Sequence, residues 1–318
     1  MCGVISRTIL FCAISVCVVF AGAITHAQSR SGPPSFQVET GLIRLDLQVE
    51  EHGIAVTGLV ADDFVVYDEG EQQRALYFDV ASDPVDLVLL LDLSGSMDGK
   101  TRAVAELGLN AIRMLRPEDR VALMAFTAKP KLLVPLKTDR GPVIKALHRL
   151  FRCIPNDETD LYAGIDRANQ VLWDTYDNRN ASAGEMRRRA ILIVTDNLGG
   201  FRRNEERMMG ALKGTDAVVN ALILDPGIDI PFHLSHAHRQ QDVKRITALT
   251  GGVSVETKET RSGVPAMLPL IQTRYSLYYR RPDALPGAYR QVDVALAPGM
   301  QQLHPEARIT VRPGYSLP

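Results

Sequence analysis

Oxygen-bearing side chains gather where apolar runs of this chain stop. In "VDLVLLLDLSGSMDG" (85–99) the run ends at Asp92, and Ser94, Ser96 and Asp98 follow on a two-residue spacing. "AILIVTDN" (190–197) ends at Asp196, and "NDETDLYAGI" (156–165) sets Thr159 at an N-cap position before a helical repeat. Carboxylates and hydroxyls are hard donors, and such a set suits Mg²⁺, Ca²⁺ or Mn²⁺ rather than zinc. Gly95, between two serines, permits the sharp turn that lets Ser94 and Ser96 face the same point as Asp92. Singly these signals are ordinary: a Ser or Thr before a helix is usually a cap, and a strand-terminal Asp is often a turn residue. Three strand–helix junctions meeting on one edge point instead to one site.

That convergence needs a sheet. "LVLLLD" (87–92), "RVALMAF" (120–126), "AILIVTD" (190–196) and "AVVNALIL" (217–224) are almost continuously apolar, as strands covered on both faces are. Between them lie helical repeats: Val104, Leu107, Ala111 and Met114; Val143, Leu147, Leu150 and Phe151; Leu161, Ile165, Ala168 and Leu172; and Val243, Ile246 and Leu249, which stop at "TGG". Strands alternating with helices predict an α/β fold with a doubly wound, mostly parallel sheet, whose ligands bind beyond the C-terminal strand ends. The flanks differ. Residues 35–78 and the tail from Tyr275 alternate apolar and polar residues, which predicts antiparallel strands with one wet face. Each flank is too short to close a sandwich alone, so the expectation is one β unit built from both termini, around an inserted α/β domain.

Other chemistries fit less well. An aspartyl phosphotransferase wants a second Asp two residues after the first, where this chain has Ser94. A hydrolase elbow reads G-x-S-x-G, but Ser94 and Asp98 stand two residues either side of Ser96. A metal-dependent hydrolase or phosphotransferase using the same strand ends is the alternative; the expectation is no enzyme and no catalytic residue. His233, His236 and His238 in "HLSHAH" have a spacing that can hold a transition metal, and read more simply as a polar loop after a strand. "MRRR" (186–189) reads as a cap on the solvent end of the next strand, and "YSLYY" as a strand burying Tyr275, Leu277 and Tyr279.

Composition narrows the partners and the compartment. With 36 Lys+Arg against 37 Asp+Glu, the balance argues against a nucleic-acid or anionic-membrane surface. Residues 1–27 carry one charge, Arg7, then an apolar stretch and "THA", which predicts a signal peptide cleaved after Ala27 and an exported protein, periplasmic or extracellular. Membrane contact is expected only through that leader, if it is left uncleaved. Cys2, Cys12 and Cys17 leave with it; Cys153 then has no partner for a disulfide and reads as a small buried hydrophobe. The expected organisation is signal peptide (1–27), linker and N-terminal β segment (28–82), α/β domain (83–272) and C-terminal β segment (273–318).

From about residue 83 to 272 the sequence resembles the von Willebrand factor A domain. That family's metal-ion-dependent adhesion site is a D-x-S-x-S motif with a later Thr and a later Asp. These fall on Asp92, Ser94 and Ser96 in "DLSGS", Thr159 in "TDLYAGI" and Asp196 in "IVTDN". "GLVADDFVVYDEGEQQ" and "ARITVRPGY" are similar to the leading and closing strands of a bacterial secreted subgroup. The resemblance implies a divalent cation, Mg²⁺ first, and a protein partner that presents Asp or Glu to it, with one or both aspartates acting through water. Two departures stand out: Asn197 replaces the usual glycine after the second Asp, and Asp157 and Glu158 replace the glycines before the Thr.

Overall fold

Apolar runs without a polar face have to be covered twice, and the computed structural model of the chain covers them so. It describes residues 42–80, 83–150, 158–177, 187–198, 204–224, 242–257, 263–283, 285 and 287–316. The leader (1–27), Cys153, Asp157 and His233, His236 and His238 lie outside the described residues. The first flank gives β1 (Leu42–Glu51), β2 (Ile54–Ala55), β3 (Phe64–Asp68), β4 (Glu71–Gln73) and β5 (Ala75–Val80). The α/β part runs β6 (Val85–Asp92), α1 (Thr101–Met114), β7 (Arg120–Phe126), β8 (Pro130–Lys137), α2 (Gly141–Leu150) and α3 (Leu161–Asp177). It continues with β9 (Arg188–Thr195), α4 (Glu205–Lys213), β10 (Val218–Leu224), α5 (Val243–Thr250), β11 (Ser254–Thr257) and α6 (Gly263–Gln272). The second flank adds β12 (Tyr275–Arg280), β13 (Tyr289–Leu296), α7 (Pro298–Leu303), β14 (Arg308–Thr310) and β15 (Gly314–Ser316).

The central sheet has the order β11-β10-β9-β6-β7-β8 and is parallel except for β8, which runs antiparallel to β7. Successive side chains of a strand point to opposite faces, and β6 shows it. Leu87, Leu89 and Leu91 join Val104 and Leu107 of α1, Leu147 of α2 and Met267 of α6 in one core. Val88 and Leu90 join Leu161, Ile165 and Ala168 of α3 and Ile246 of α5 in the other. Each fully buried side chain of this size contributes roughly 1.5–3 kcal/mol of transfer free energy, so the sheet centre is stiff. The expected α/β class and doubly wound sheet are what the structure has.

The flanks pair with each other, as antiparallel strands from both termini. β1 lies between β12 and β14, with Leu45 opposite Leu277, and β3 pairs with β13, with Val66 opposite Val294. Two sheets result, β14-β1-β12-β5 (with β2 on β1) and β15-β13-β3-β4. They share one core of Leu45, Leu47, Val66, Val294, Tyr275, Leu277 and Tyr279. The "YSLYY" strand is therefore buried as expected, and Ser276 and Tyr278 on its other face are buried too.

The sandwich docks on the N-terminal edge of the parallel sheet through arginines. Here "MRRR" departs from expectation, because its described arginines cap nothing in solvent. Arg188 donates to the carbonyls of Ile271 (3.1 Å) and Gln272 (2.9 Å), and Arg187 Nε to Asp86 Oδ1 (2.7 Å). Burying guanidinium groups is tolerable only with acceptors at hand, and helix ends and strand starts supply carbonyls there. From the sandwich, Arg274 Nη2 reaches the carbonyls of Asp46 (2.9 Å) and Gly251 (2.6 Å), and Arg312 those of Thr215 and Leu212. The "TGG" turn does more than cap α5. Gly251 takes φ 71°, and a Cβ on it would lie 2.4 Å from the backbone nitrogen of Arg312.

Candidate metal centre

Counted along the sheet alone, the strand order is 3-2-1-4-5-6, and connections leave in opposite directions from the first and fourth strands, β6 and β9. A crevice at such a switch point, beyond the carboxyl ends, is where open α/β sheets bind ligands. Asp92 ends β6, and Asp196 follows the last residue of β9.

β6 does not continue past Asp92 because the chain folds into a single tight turn over Gly95–Met97. The Met97 and Asp98 amides donate to the carbonyls of Ser94 (3.0 Å) and Gly95 (3.1 Å). Met97 is buried in the core and pins the turn from below. Ser94 Oγ and its amide both donate to Asp92 Oδ1, at 2.6 and 2.9 Å. Ser94 Oγ lies 3.2 Å from Ser96 Oγ, and Ser96 Oγ donates to Asp196 Oδ1 at 3.2 Å. Four of the five expected residues thus form one run of close oxygen contacts, in which two hydroxyl protons serve three steps. Asp98 turns away: it is exposed and accepts from the Gly99 amide.

Thr159 comes to the same edge by a backbone tether. Phe126 of β7 pairs with Asp92, and the next residue, Thr127, accepts from the Asp160 amide at 2.9 Å. Thr159 is buried, but it is not the helix cap the sequence suggests. That role falls to Asp160, whose Oδ1 accepts from the Ala163 amide at 2.9 Å, while its Oδ2 accepts from Asn204 before α4. The helix starts one residue later than the Thr-based reading puts it, and the cap that would have used the Thr159 hydroxyl is made by its neighbour. Among the described residues no hydrogen bond joins Thr159 to the other four.

Two residues that sequence reasoning missed stand in the centre. Thr195 Oγ1 donates to Asp92 Oδ2 at 2.6 Å and accepts from the Asn197 amide at 3.0 Å, so it fixes the orientation of Asp92. Its place inside the apolar run disguised it as a β-branched strand residue. Lys100 places Nζ 3.6 Å from Asp196 Oδ2. Burial pushes the Asp92 carboxyl up to about 6, against the pull of its Ser94 and Thr195 hydrogen bonds; the charge of Asp196 adds to the rise.

The donor set fits a hard cation. Asp196 Oδ2 is buried without a hydrogen-bond partner among the described residues, the kind of acceptor a cation satisfies. Beyond the two aspartates the centre's donors are hydroxyls. Among the described residues no three His, Cys, Asp or Glu side chains gather into a group that could hold a metal ion. Asn197 takes φ 59°, a left-handed conformation that glycine adopts freely and that asparagine tolerates better than other side chains. Glu158 is exposed.

Residues 87–200 match the family model described as "von Willebrand factor type A domain". Among solved structures, the chain is similar to a von Willebrand factor type A protein from Catenulispora acidiphila, with 12% identity, a TM-score of 0.46, and coverage of 89% of this chain and 75% of that one. An aerotolerance-related membrane protein from Bacteroides fragilis has 17% identity and a TM-score of 0.45, covering 59% of this chain and 98% of its own. The manganese-loaded TRAP protein of Plasmodium vivax has 15% identity and a TM-score of 0.40, covering 74% and 98%. Asp92, Ser94, Ser96, Thr159 and Asp196 all lie within the segment that matches the von Willebrand factor type A domain model.

Proposed function

We propose that the chain is an exported, non-enzymatic binding module. Its strand-end centre holds a divalent cation, Mg²⁺ first with Ca²⁺ or Mn²⁺ as alternatives, and captures an aspartate or glutamate of a partner protein. The observation that carries this reading is the run of close oxygen contacts Asp92–Ser94–Ser96–Asp196 at the switch point, with one carboxylate oxygen of Asp196 left without a donor. Asp92 and Asp196 supply the two negative charges; Ser94, Ser96 and Thr159 add donors without adding charge. A cation held there supplies a Lewis-acidic centre for an incoming carboxylate, because a donor set this small leaves ligand positions open. Thr195 holds Asp92 in place, and the buried Met97 holds the serine turn.

The test is a pull-down from the native exported fraction, with and without chelator, using the wild-type chain and Asp92→Ala. Partner capture should require the cation and fail in the variant, while the variant keeps its far-UV circular dichroism. Capture unchanged in EDTA and in Asp92→Ala would refute the reading. Export has its own measurement: mass spectrometry of protein from the native host should find the N-terminus at or near Gln28. Among the described residues no helix is long and apolar enough to cross a membrane.

A further inference from the structure

Lys100 is the cation that the centre already contains. Its Nζ is buried and has no hydrogen-bond partner among the described residues, and neither does Asp196 Oδ2, 3.6 Å away. The Lys100 side chain is 23% exposed and that of Asp196 fully buried, so the pair is poorly screened. Lys100 also sits where helix electrostatics disfavour it. It is the N-cap of α1, whose first turn carries no acidic residue, and the positive end of the helix dipole repels an ammonium group there. Asp196 is its ion-pair partner, and Gly99, at φ 73°, sets the turn from which Lys100 leaves.

From these observations we infer that Lys100 is an internal competitor for the centre. It neutralises Asp196 itself, and so sets how tightly an external divalent cation is held. It rests on the cation reading above and adds a regulator to it. An ammonium group and a divalent ion drawn to one carboxylate repel each other. A cation therefore binds against Lys100, which must swing towards solvent along its flexible stem. The competition makes cation affinity weaker than five oxygen donors alone would give. It also keeps two buried carboxylates from facing each other without any positive charge between cation-binding events.

The test is calorimetric titration of the full mature chain with MnCl₂, comparing wild type, Lys100→Gln, Arg102→Gln and Asp92→Asn. Arg102 is the control: it carries the same charge two residues away, with a side chain 80% exposed. Lys100→Gln should bind Mn²⁺ about tenfold more tightly than wild type, and Arg102→Gln within about twofold of it. Asp92→Asn should bind it weakly or not at all. In EDTA, Lys100→Gln should melt below wild type, and saturating Mn²⁺ should raise its melting temperature by more. Equal affinities for wild type and Lys100→Gln would overturn the competition while leaving the cation centre standing. If neither binds Mn²⁺, the cation reading falls and the competition falls with it. The Lys100–Asp196 pairing is then judged by a Lys100→Gln/Asp196→Asn double-mutant cycle of stability in EDTA, where additivity would overturn it.

Discussion

The two edges of the parallel sheet bury charge in opposite ways. At the N-terminal edge, Asp46 is surrounded by cations. Burial pushes its carboxyl up, but Arg44, Arg188 and Arg274 overcome that and hold it below the ordinary range. Arg44 Nε and Ser276 Oγ both bond Asp46 Oδ1, at 3.1 and 2.8 Å. At the C-terminal edge, Asp92 has hydroxyls for company and a second carboxylate nearby, and its carboxyl rises to about 6. Both aspartates are buried, so burial does not separate them. What separates them is whether the chain supplies the counter-charge. A buried carboxylate that is fully countered from within serves the fold. One left short of positive charge costs stability, and it is this cost that the proposed cation would relieve.

Removing the charge at the countered edge should have the largest effect. Asp46→Asn removes the charge that faces three buried guanidinium groups and breaks the Arg44 ion pair, and Arg274 already lacks acceptors at Nε and Nη1, its own group pushed down by burial to about 10. Breaking a buried ion pair from one side costs about 3–5 kcal/mol, and urea unfolding at pH 7 should show a loss of that order. A loss under about 1 kcal/mol would mean that the seam is solvated and the contrast between the edges is false.

Asp92→Asn should do the reverse. In EDTA at pH 8 the variant should be more stable than wild type by about 1–2 kcal/mol, below the ceiling of roughly 3 kcal/mol that a two-unit rise implies. The sign follows from linkage. A carboxyl raised in the folded state is a penalty present in full above its folded value, and relieved as protons bind on descending through it. The advantage of Asp92→Asn should therefore shrink as pH falls from 6 towards 4. For Asp46 the opposite holds: its stabilisation is present above the unfolded value and is lost only as pH falls towards its lower folded one. Thermal melts of both variants across this range, with chelator present, measure the two slopes. Parallel slopes would break the comparison.

How much of this could be read in advance depends on whether the cue lay in one stretch of chain. The inner strands β6, β7, β9 and β10 were legible because their apolar runs have no polar face. The edge strand β8, "PKLLVPLK", was not: its prolines and outward lysines suit an antiparallel edge and hide the strand. Helix α6 was hidden in the same way by Pro269. In the centre, Asp92, Ser94, Ser96 and Asp196 were legible because they stop strands. Thr195 was not, because it sits inside one, and Lys100 reads in sequence as an ordinary charge at the start of a helix. Both matter through contacts across 96 to 103 residues, Lys100 with Asp196 and Thr195 with Asp92, which no local pattern encodes.

Thr195 offers a middle-sized test of what holds the short-countered carboxylate. Thr195→Val keeps the shape and deletes the donor to Asp92 Oδ2. Leaving a buried acceptor unsatisfied costs about 1–3 kcal/mol, and Mn²⁺ affinity measured by calorimetry should fall with it, since Asp92 loses its fixed orientation. If Thr195→Val weakens stability but leaves Mn²⁺ affinity intact, Thr195 serves the strand and not the centre.

The smallest effect tests whether the loop after Asp196 is held by charge or by backbone. Asn197 occupies a left-handed conformation (φ 59°), its amide bonded to Thr195 Oγ1 and its side-chain Oδ1 buried without a hydrogen-bond partner among the described residues. Glycine adopts that conformation freely, keeps the amide and removes the orphaned acceptor, so Asn197→Gly should raise stability in chelator by about 0.5 kcal/mol. Alanine keeps the amide but meets the steric cost of the left-handed region, and Asn197→Ala should lose about 1 kcal/mol. Neither change touches a charge, so the pH slope assigned to Asp92 should stay where it is in both. Denaturant melts of the three proteins at pH 5 and pH 8 decide it. If Asn197→Gly is the less stable variant, the side chain rather than the backbone holds this loop. If either variant moves the pH slope, Asp92 does not titrate independently of the loop that follows Asp196.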